Sequence, residues 1–302
     1  MPSLIEQFLE QFREEEFVYF PNPGNAGDSV IAAATYQLFD RMGLRYVTPR
    51  FGRCDLRNRV VIYGGGGNLV NPESFSARLM AASHAQAKRF VILPQTVKSV
   101  DALLASCADN VDIICREQVS YDYVSAHTHG PRVYLMDDMA FGLDVREVMH
   151  SQAEHSSFGR MLLVLRAKAF ETRNVPALDN TKRALGLRQL NQRLIDSRKS
   201  DELFCYRTDG EKTDIALPEG NIDLSEVFKF GVETKDVAYL SARSLLNYLS
   251  NFRTVNTNRL HVAISSALLG LDVRFHANDY YKCRAVYEQS MRERFPNVHW
   301  IN

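Results

Sequence analysis

The sequence predicts an α/β protein of two lobes, the first built on a mainly parallel, doubly wound sheet. Short apolar runs such as Val60–Tyr63 and Phe90–Leu93 read as buried strands, and they alternate with stretches of helical period. The 302 residues suffice for two domains of ordinary size. A polar stretch, 146–158, containing Ser151, Gln152, Glu154, His155, Ser156 and Ser157, reads as the linker between them.

Taken in order, Leu4, Ile5, Phe8, Leu9 and Phe12 repeat at helical spacing and predict an amphipathic N-terminal helix. Phe17–Phe20 is a strand, 21–28 a Pro/Gly/Asn loop, and Asp28 opens a helix that Gly43 stops. Strands follow near 45–47 and at 60–63, the latter running into Gly64-Gly65-Gly66-Gly67-Asn68. Helix 76–86, strand 90–93, helix 100–108, strand 111–115, helix 117–126 and strand 133–136 complete the first lobe, 1–150. The second lobe, 151–280, opens with a strand at Met161–Leu165 that ends on Arg166. Residues 171–235 are charged and turn-rich, with a helix near 180–196 and a strand at 203–206. Helix 237–249, strand 252–255, helix 259–269, strand 272–275 and a final helix at 279–294 follow; 281–302 is a candidate to cross back to the first lobe.

Bulk composition excludes several classes. Hydrophobic residues make up 45% and charged residues 24%, ordinary for a globular protein. Net charge is zero, so no broad electrostatic grip on nucleic acid is expected. Residues 1–150 carry 14 Lys+Arg against 18 Asp+Glu and the remainder 22 against 18, which places an anionic ligand mainly on the second half. Cys54, Cys107, Cys115, Cys205 and Cys283 show no C-x-x-C pair or zinc spacing, which suits a reducing, cytoplasmic compartment. The acidic start (Glu14, Glu15, Glu16) is unlike a signal peptide, and the longest apolar run, 262–273, is too short for an integral membrane segment.

Polar residues collect at the carboxyl ends of the expected strands, where ligands bind in open α/β sheets. These are Asn25, Gly27 and Asp28, then Gly64 to Asn68, Gln95, Arg116 with Glu117, Asp137 with Asp138, and in the second lobe Arg166, Arg259 and His261. Arg259-Leu260-His261 stands where a helix presents free N–H groups, a setting that favours an anion. Asp28 reads either as a helix cap or as a general base facing the cleft. Glu117 and Asp138 read best as partners of buried arginines. The glycine run fails as a dinucleotide fingerprint, because Leu69 stands where a small residue is needed. No G-K-[ST], H-E-x-x-H or G-x-S-x-G pattern occurs, so no metal, cofactor or serine triad is expected.

Six segments in order resemble the polysaccharide pyruvyl transferase family: 24–28 (GNAGD), 64–67 (GGGG), 93–96 (LPQT), 115–117 (CRE), 138–141 (DMAF) and 257–261 (TNRLH). The resemblance covers about 18–280 and implies two Rossmann-like lobes with a central cleft, similar to GT-B glycosyltransferases. It implies pyruvyl transfer from phosphoenolpyruvate to two hydroxyls of one sugar, giving a cyclic ketal and free phosphate. The acceptor it implies is a lipid-linked oligosaccharide of a surface or exopolysaccharide, met in the cytoplasm or peripherally at the inner face of the membrane.

The residue chemistry suits that reaction. Phosphoenolpyruvate is a small polyanion, and a guanidinium holds a carboxylate or phosphate in a fork that Lys cannot reproduce. Asp28 is then the base for the sugar hydroxyl, and His261 the acid or phosphate clamp. Arg166, Arg259 and Leu260 would hold the donor, while Asn25, Gly65, Gly66, Asn68, Gln95 and Arg116 line the site. The first lobe is assigned to the acceptor sugar and the second to the donor. Two alternatives remain open on sequence: a nucleotide-sugar glycosyltransferase, and a non-catalytic sugar- or nucleotide-binding regulator on the same fold.

Overall fold

The computed structural model describes residues 2–50, 52–151, 157–170, 185–196, 200–209 and 215–301. The protein is mixed α/β with two parallel sheets, in two compact units. One unit is Met1–Asn22 with Ala34–Gly142; the other is Pro23–Ala33 with Leu143–Asn302. The division thus falls at Gly142 rather than 150, and the segment expected to line the first lobe, 23–33, groups with the second. The helix Ala26–Arg41 therefore begins in one unit and ends in the other. Its residues Val30 to Ala34, Tyr36, Leu38 and Phe39 are buried, as befits a helix apolar on every side.

In the first unit, β1 (Phe17–Phe20), β2 (Tyr46–Val47), β3 (Val60–Tyr63), β4 (Gly66–Leu69), β5 (Arg89–Val97), β6 (Val111–Cys115) and β7 (Arg132–Leu135) form one sheet. Its order is β2-β1-β3-β5-β6-β7, with β4 also on β5. Strand order reverses between β1 and β3, so their carboxyl ends mark the topological switch point. β4, read as loop from sequence, carries no apolar signal because half of it is glycine. β5 continues through Pro94 because the β5–β6 register shifts between Ile92 and Gln95, where a missing N–H costs no ladder bond. The N-terminal helix Leu4–Leu9 starts at a Ser3/Glu6 capping box, buries Phe8 and Leu9, and sets Phe8 edge-on to Tyr134.

In the second unit, β8 (Glu202–Cys205), β9 (Thr254–Thr257), β10 (Asp272–His276) and β11 (Val298–Ile301) pair in parallel in sequence order. Among the described residues these four strands make one all-parallel sheet. Its core face carries Leu203, Val255, Val273 and Phe275, all buried. On the opposite face Glu202 accepts hydrogen bonds from Asn256 (2.9 Å) and Arg274 (2.7 Å).

Three further expectations are corrected here. The strand expected at 161–165 is part of the helix Ser157–Phe170, a five-residue apolar run being ambiguous by period alone. Residues 146–150, read as linker, belong to the helix Val145–His150. The C-terminal segment stays with the second unit, because Val298–Ile301 pairs with β10. The helix expected near 180–196 is Leu187–Asp196; the early part of that range and residues 171–184 lie outside the described residues.

Candidate active site

The loop before the helix Ala26–Arg41 closes on itself. Asn25 Oδ1 accepts from Gly27 N (2.8 Å), and Asp28 Oδ2 accepts from Asn25 N (2.8 Å). This reciprocal pair is a capping box with Asn25 as cap and Asp28 at the third helical position. Asp28 is therefore not the cap residue itself. Its carboxylate is half-buried and lies against Gly24, where a Cβ would stand 1.8 Å from Oδ2. Ser29 Oγ donates to the Gly231 carbonyl (2.9 Å), which ties this helix start to the rest of its unit.

The imidazole of His261 meets the same turn. A Cβ on Gly27 would lie 2.7 Å from His261 Nδ1 and 2.9 Å from its Cβ, so only glycine lets the ring in. His261 itself stands in the first turn of the helix Leu260–Leu268. The ring thus belongs to one helix N-terminus and abuts another, and both place positive dipole ends at this spot. His261, named from sequence as a strand-end residue of the second lobe, is thus brought against the turn that holds Asn25 and Asp28.

Arg259 behaves differently from expectation. Its side chain is 4% exposed, and its fork is taken by Asp223, with Nε donating to Oδ1 (3.0 Å) and the NH2 group to Oδ2. Its NH1 group pairs with Asp209 (2.8 Å), which Arg207 also holds through Nε (2.8 Å). A buried guanidinium needs such partners, so the fork assigned to the donor anion is engaged internally. Thr257 Oγ1 accepts from Arg259 N (3.0 Å) and donates to the Cys205 carbonyl (2.7 Å), which locks the β9 end to β8. Burial, and then Asp223, push the neighbouring Cys205 thiol up to about 12. Leu260 is buried beside this network. Arg166 lies within a helix rather than at a strand end, and its side chain is outside the described ones.

A second polar cluster occupies the switch point of the first unit. Buried Asn22 donates to the Gly65 carbonyl (3.2 Å) and accepts from Tyr63 Oη (2.6 Å) and Asn68 Nδ2 (3.0 Å). Gly64 passes so close to Asn22 that a Cβ would stand 2.6 Å from its backbone N, and one on Gly65 would stand 2.7 Å from the Pro94 carbonyl. Gly66 needs its φ of 142°. Gln95 is wholly buried; Nε2 reaches the Gly64 carbonyl at 3.4 Å, and Oε1 has no hydrogen-bond partner among the described residues. Arg116, expected to line the site, is instead buried and satisfied, donating to Thr96 Oγ1 (2.8 Å) and Asp138 Oδ2 (2.7 Å). Asp138 is thus a structural partner, as read from sequence, whereas Glu117 caps the helix Gln118–His127 through Ser120 N (2.9 Å).

Sequence reasoning missed Asn22, Asp209, Asp223 and Lys282. Asn22 sits in a Pro-Asn-Pro step, a visible but generic turn signal. The two aspartates fall in a stretch without periodicity. Lys282 follows the end of β10, is 8% exposed, and sets its ammonium 4.8 Å from the Tyr280 ring. Its neighbour Cys283 approaches the Asn258 carbonyl (3.6 Å), so a buried cation lies in the segment packed on the Arg259 junction.

The model of a family described as polysaccharide pyruvyl transferase matches residues 25–279. No curated protein matches the chain. Among solved structures, a functionally uncharacterised protein from Klebsiella pneumoniae subsp. pneumoniae superposes with a TM-score of 0.74 at 28% identity, covering 99% of this chain and 97% of that one.

Proposed function

The chain belongs to the polysaccharide pyruvyl transferase family, and from that premise we propose that it moves the pyruvyl unit of phosphoenolpyruvate onto two hydroxyls of one sugar. The product is a cyclic ketal, and the acceptor is a lipid-linked oligosaccharide of a surface polysaccharide. The observation that carries this reading is the His261 ring, in the first turn of one helix, set against Gly27 in the first turn of another, the same turn that carries Asp28. Such a spot suits a phosphate or carboxylate.

In the proposed reaction Asp28 takes the proton of the first sugar hydroxyl, whose oxygen attacks C2 of the donor. His261 delivers a proton to the methylene carbon, which becomes the methyl group. The C2–O bond to phosphate then breaks with its electron pair, and phosphate leaves. The second hydroxyl closes on C2 and loses its proton, which completes the ketal. Arg259 acts as a positioning residue: its pairing with Asp223 and Asp209 fixes the strand-to-helix junction from which His261 projects. Lys282, a buried cation in the segment packed on the Arg259 junction, is assigned to the donor anion. The glycine loop, Asn22, Asn68 and Gln95 at the switch point are assigned to the acceptor.

The test is phosphate release from phosphoenolpyruvate over a panel of glucosides, mannosides and galactosides. Release that depends on one glycoside, with a ketal on that sugar, supports the reading. Release of a nucleoside diphosphate from a nucleotide sugar, or no release with any acceptor, overturns it.

A further inference from the structure

The hydrogen bonds of the polar cluster at the carboxyl ends of β1 and β3 run in a fixed direction. Asn22 Oδ1 accepts from Tyr63 Oη (2.6 Å) and Asn68 Nδ2 (3.0 Å), while Asn22 Nδ2 donates to the Gly65 carbonyl (3.2 Å). Tyr63 spends its one hydroxyl proton on Asn22, so Ser76 Oγ, 2.8 Å away, is the donor in the bond between the two hydroxyls. Turning the Asn22 amide over would set its N–H groups against both donors and its oxygen against the Gly65 carbonyl. Turning Asn68 over would set oxygen against oxygen. Ser76, Tyr63 and Asn22 are buried, and the chain of bonds comes to the surface at half-buried Asn68.

With Nδ2 given to Asn22, the planar amide of Asn68 turns Oδ1 away from it. An amide oxygen has two lone pairs, so it can take a hydroxyl proton alongside any other bond it makes. Gln95 adds a second amide oxygen here. Its Nε2 reaches the Gly64 carbonyl (3.4 Å), and its wholly buried Oε1 has no hydrogen-bond partner among the described residues. Arg116, a cation at the same sheet end, is committed to Thr96 and Asp138. Amide oxygens repel a phosphate or carboxylate and attract the hydroxyl protons of a sugar. Resting on the acceptor's place at this cluster, we propose that Asn68 selects the sugar, its Oδ1 accepting from one ring hydroxyl. Asn22 is the positioning residue that holds the Asn68 amide in that sense without touching the sugar.

Ligand-observed NMR titration of the full chain, without phosphoenolpyruvate, tests this with methyl glucoside, galactoside and mannoside and their monodeoxy analogues. Asn68→Ala should weaken binding of the preferred glycoside roughly 3- to 10-fold, the worth of one neutral hydrogen bond. Asn22→Leu should weaken it as much. Asn68→Asp should weaken it further than Asn68→Ala, because a carboxylate oxygen would face Asn22 Oδ1; this variant reads the role of Asn22 without altering it. One monodeoxy analogue, the one that lacks the contacted hydroxyl, should bind the wild type and Asn68→Ala alike. A merely structural change would weaken every analogue. Undiminished glycoside binding in Asn68→Ala, a loss shared by all the deoxy analogues, or no glycoside bound by the wild type overturns the proposal. Binding by Asn68→Asp as tight as by Asn68→Ala removes Asn22 from it. Glycoside binding in the expected pattern without phosphate release from phosphoenolpyruvate would instead sink the transfer reaction and leave this contact standing.

Discussion

Gly27 and His261 are in contact: a Cβ at position 27 would come 2.7 Å from the imidazole Nδ1. The alanine that helix propensity would favour at this position is therefore sterically shut out. If His261 is the proton donor proposed above, Gly27→Ala should displace its ring and lower kcat by about 10- to 100-fold. Phosphate-release kinetics alongside circular dichroism should show lost turnover with retained fold. Unchanged kcat would mean that the ring's place against this turn is immaterial.

Asp28 closes the helix-start turn, and one substitution can separate that bond from the base role proposed for it. In Asp28→Asn the amide oxygen can still accept from Asn25 N, which preserves the cap, while the basic charge is lost. Turnover should fall by roughly two orders of magnitude or more with Tm little altered. Asp28→Ala should lose both. Equal turnover in the wild type and Asp28→Asn removes the base assignment.

Arg259 and Asp223 form a buried pair, so the two should fail alike. Removing one partner, as in Asp223→Ala, should cost about 3–5 kcal/mol in stability. Arg259→Lys, which loses the fork, should lower Tm and weaken donor binding. Asp223→Asn should reproduce both effects if Arg259 acts by positioning. Calorimetry that finds donor binding intact in Asp223→Asn but lost in Arg259→Lys would instead give Arg259 direct contact.

Glu117 predicts a pH dependence. Burial pushes its carboxyl above the usual 4.5, against the pull of the Ser120 hydroxyl and N–H and of Arg116. Between the unfolded value and the raised folded one, the folded protein holds a proton that the unfolded chain lacks. Stability should therefore fall as pH rises through that window and level off above it. Glu117→Gln mimics the neutral acid and keeps an acceptor for Ser120 N. Thermal melts across pH should show this slope flattened in the variant and neutral-pH Tm raised.

The elements that the sequence reading placed best are those whose burial leaves a local trace. Val60–Tyr63 and Phe17–Phe20 are apolar at every position because a central parallel strand is covered on both faces. The turn residues Asn25 and Gly27 and the start of the helix after Arg259 were legible for the same reason, since caps and tight turns restrict residue type locally. Met161–Leu165 is helical although five apolar residues suit a strand or a helix equally, because only its neighbours decide between them. β4 was invisible, because Gly66 and Gly67 pair through backbone that glycine does not advertise.

Sequence alone determined the residue types and their local settings: a carboxylate beside a helix start, a histidine in the first turn of another, and glycines between strands. Tertiary structure decided which of them meet. Gly27 and His261 are 234 positions apart, and only the packing of two helix ends brings them into contact. The same packing decided the fate of Arg259, whose charge could have faced a ligand but, once buried, required Asp223 and Asp209. Burial and partnership are properties of the folded chain as a whole, so no local pattern could reveal them.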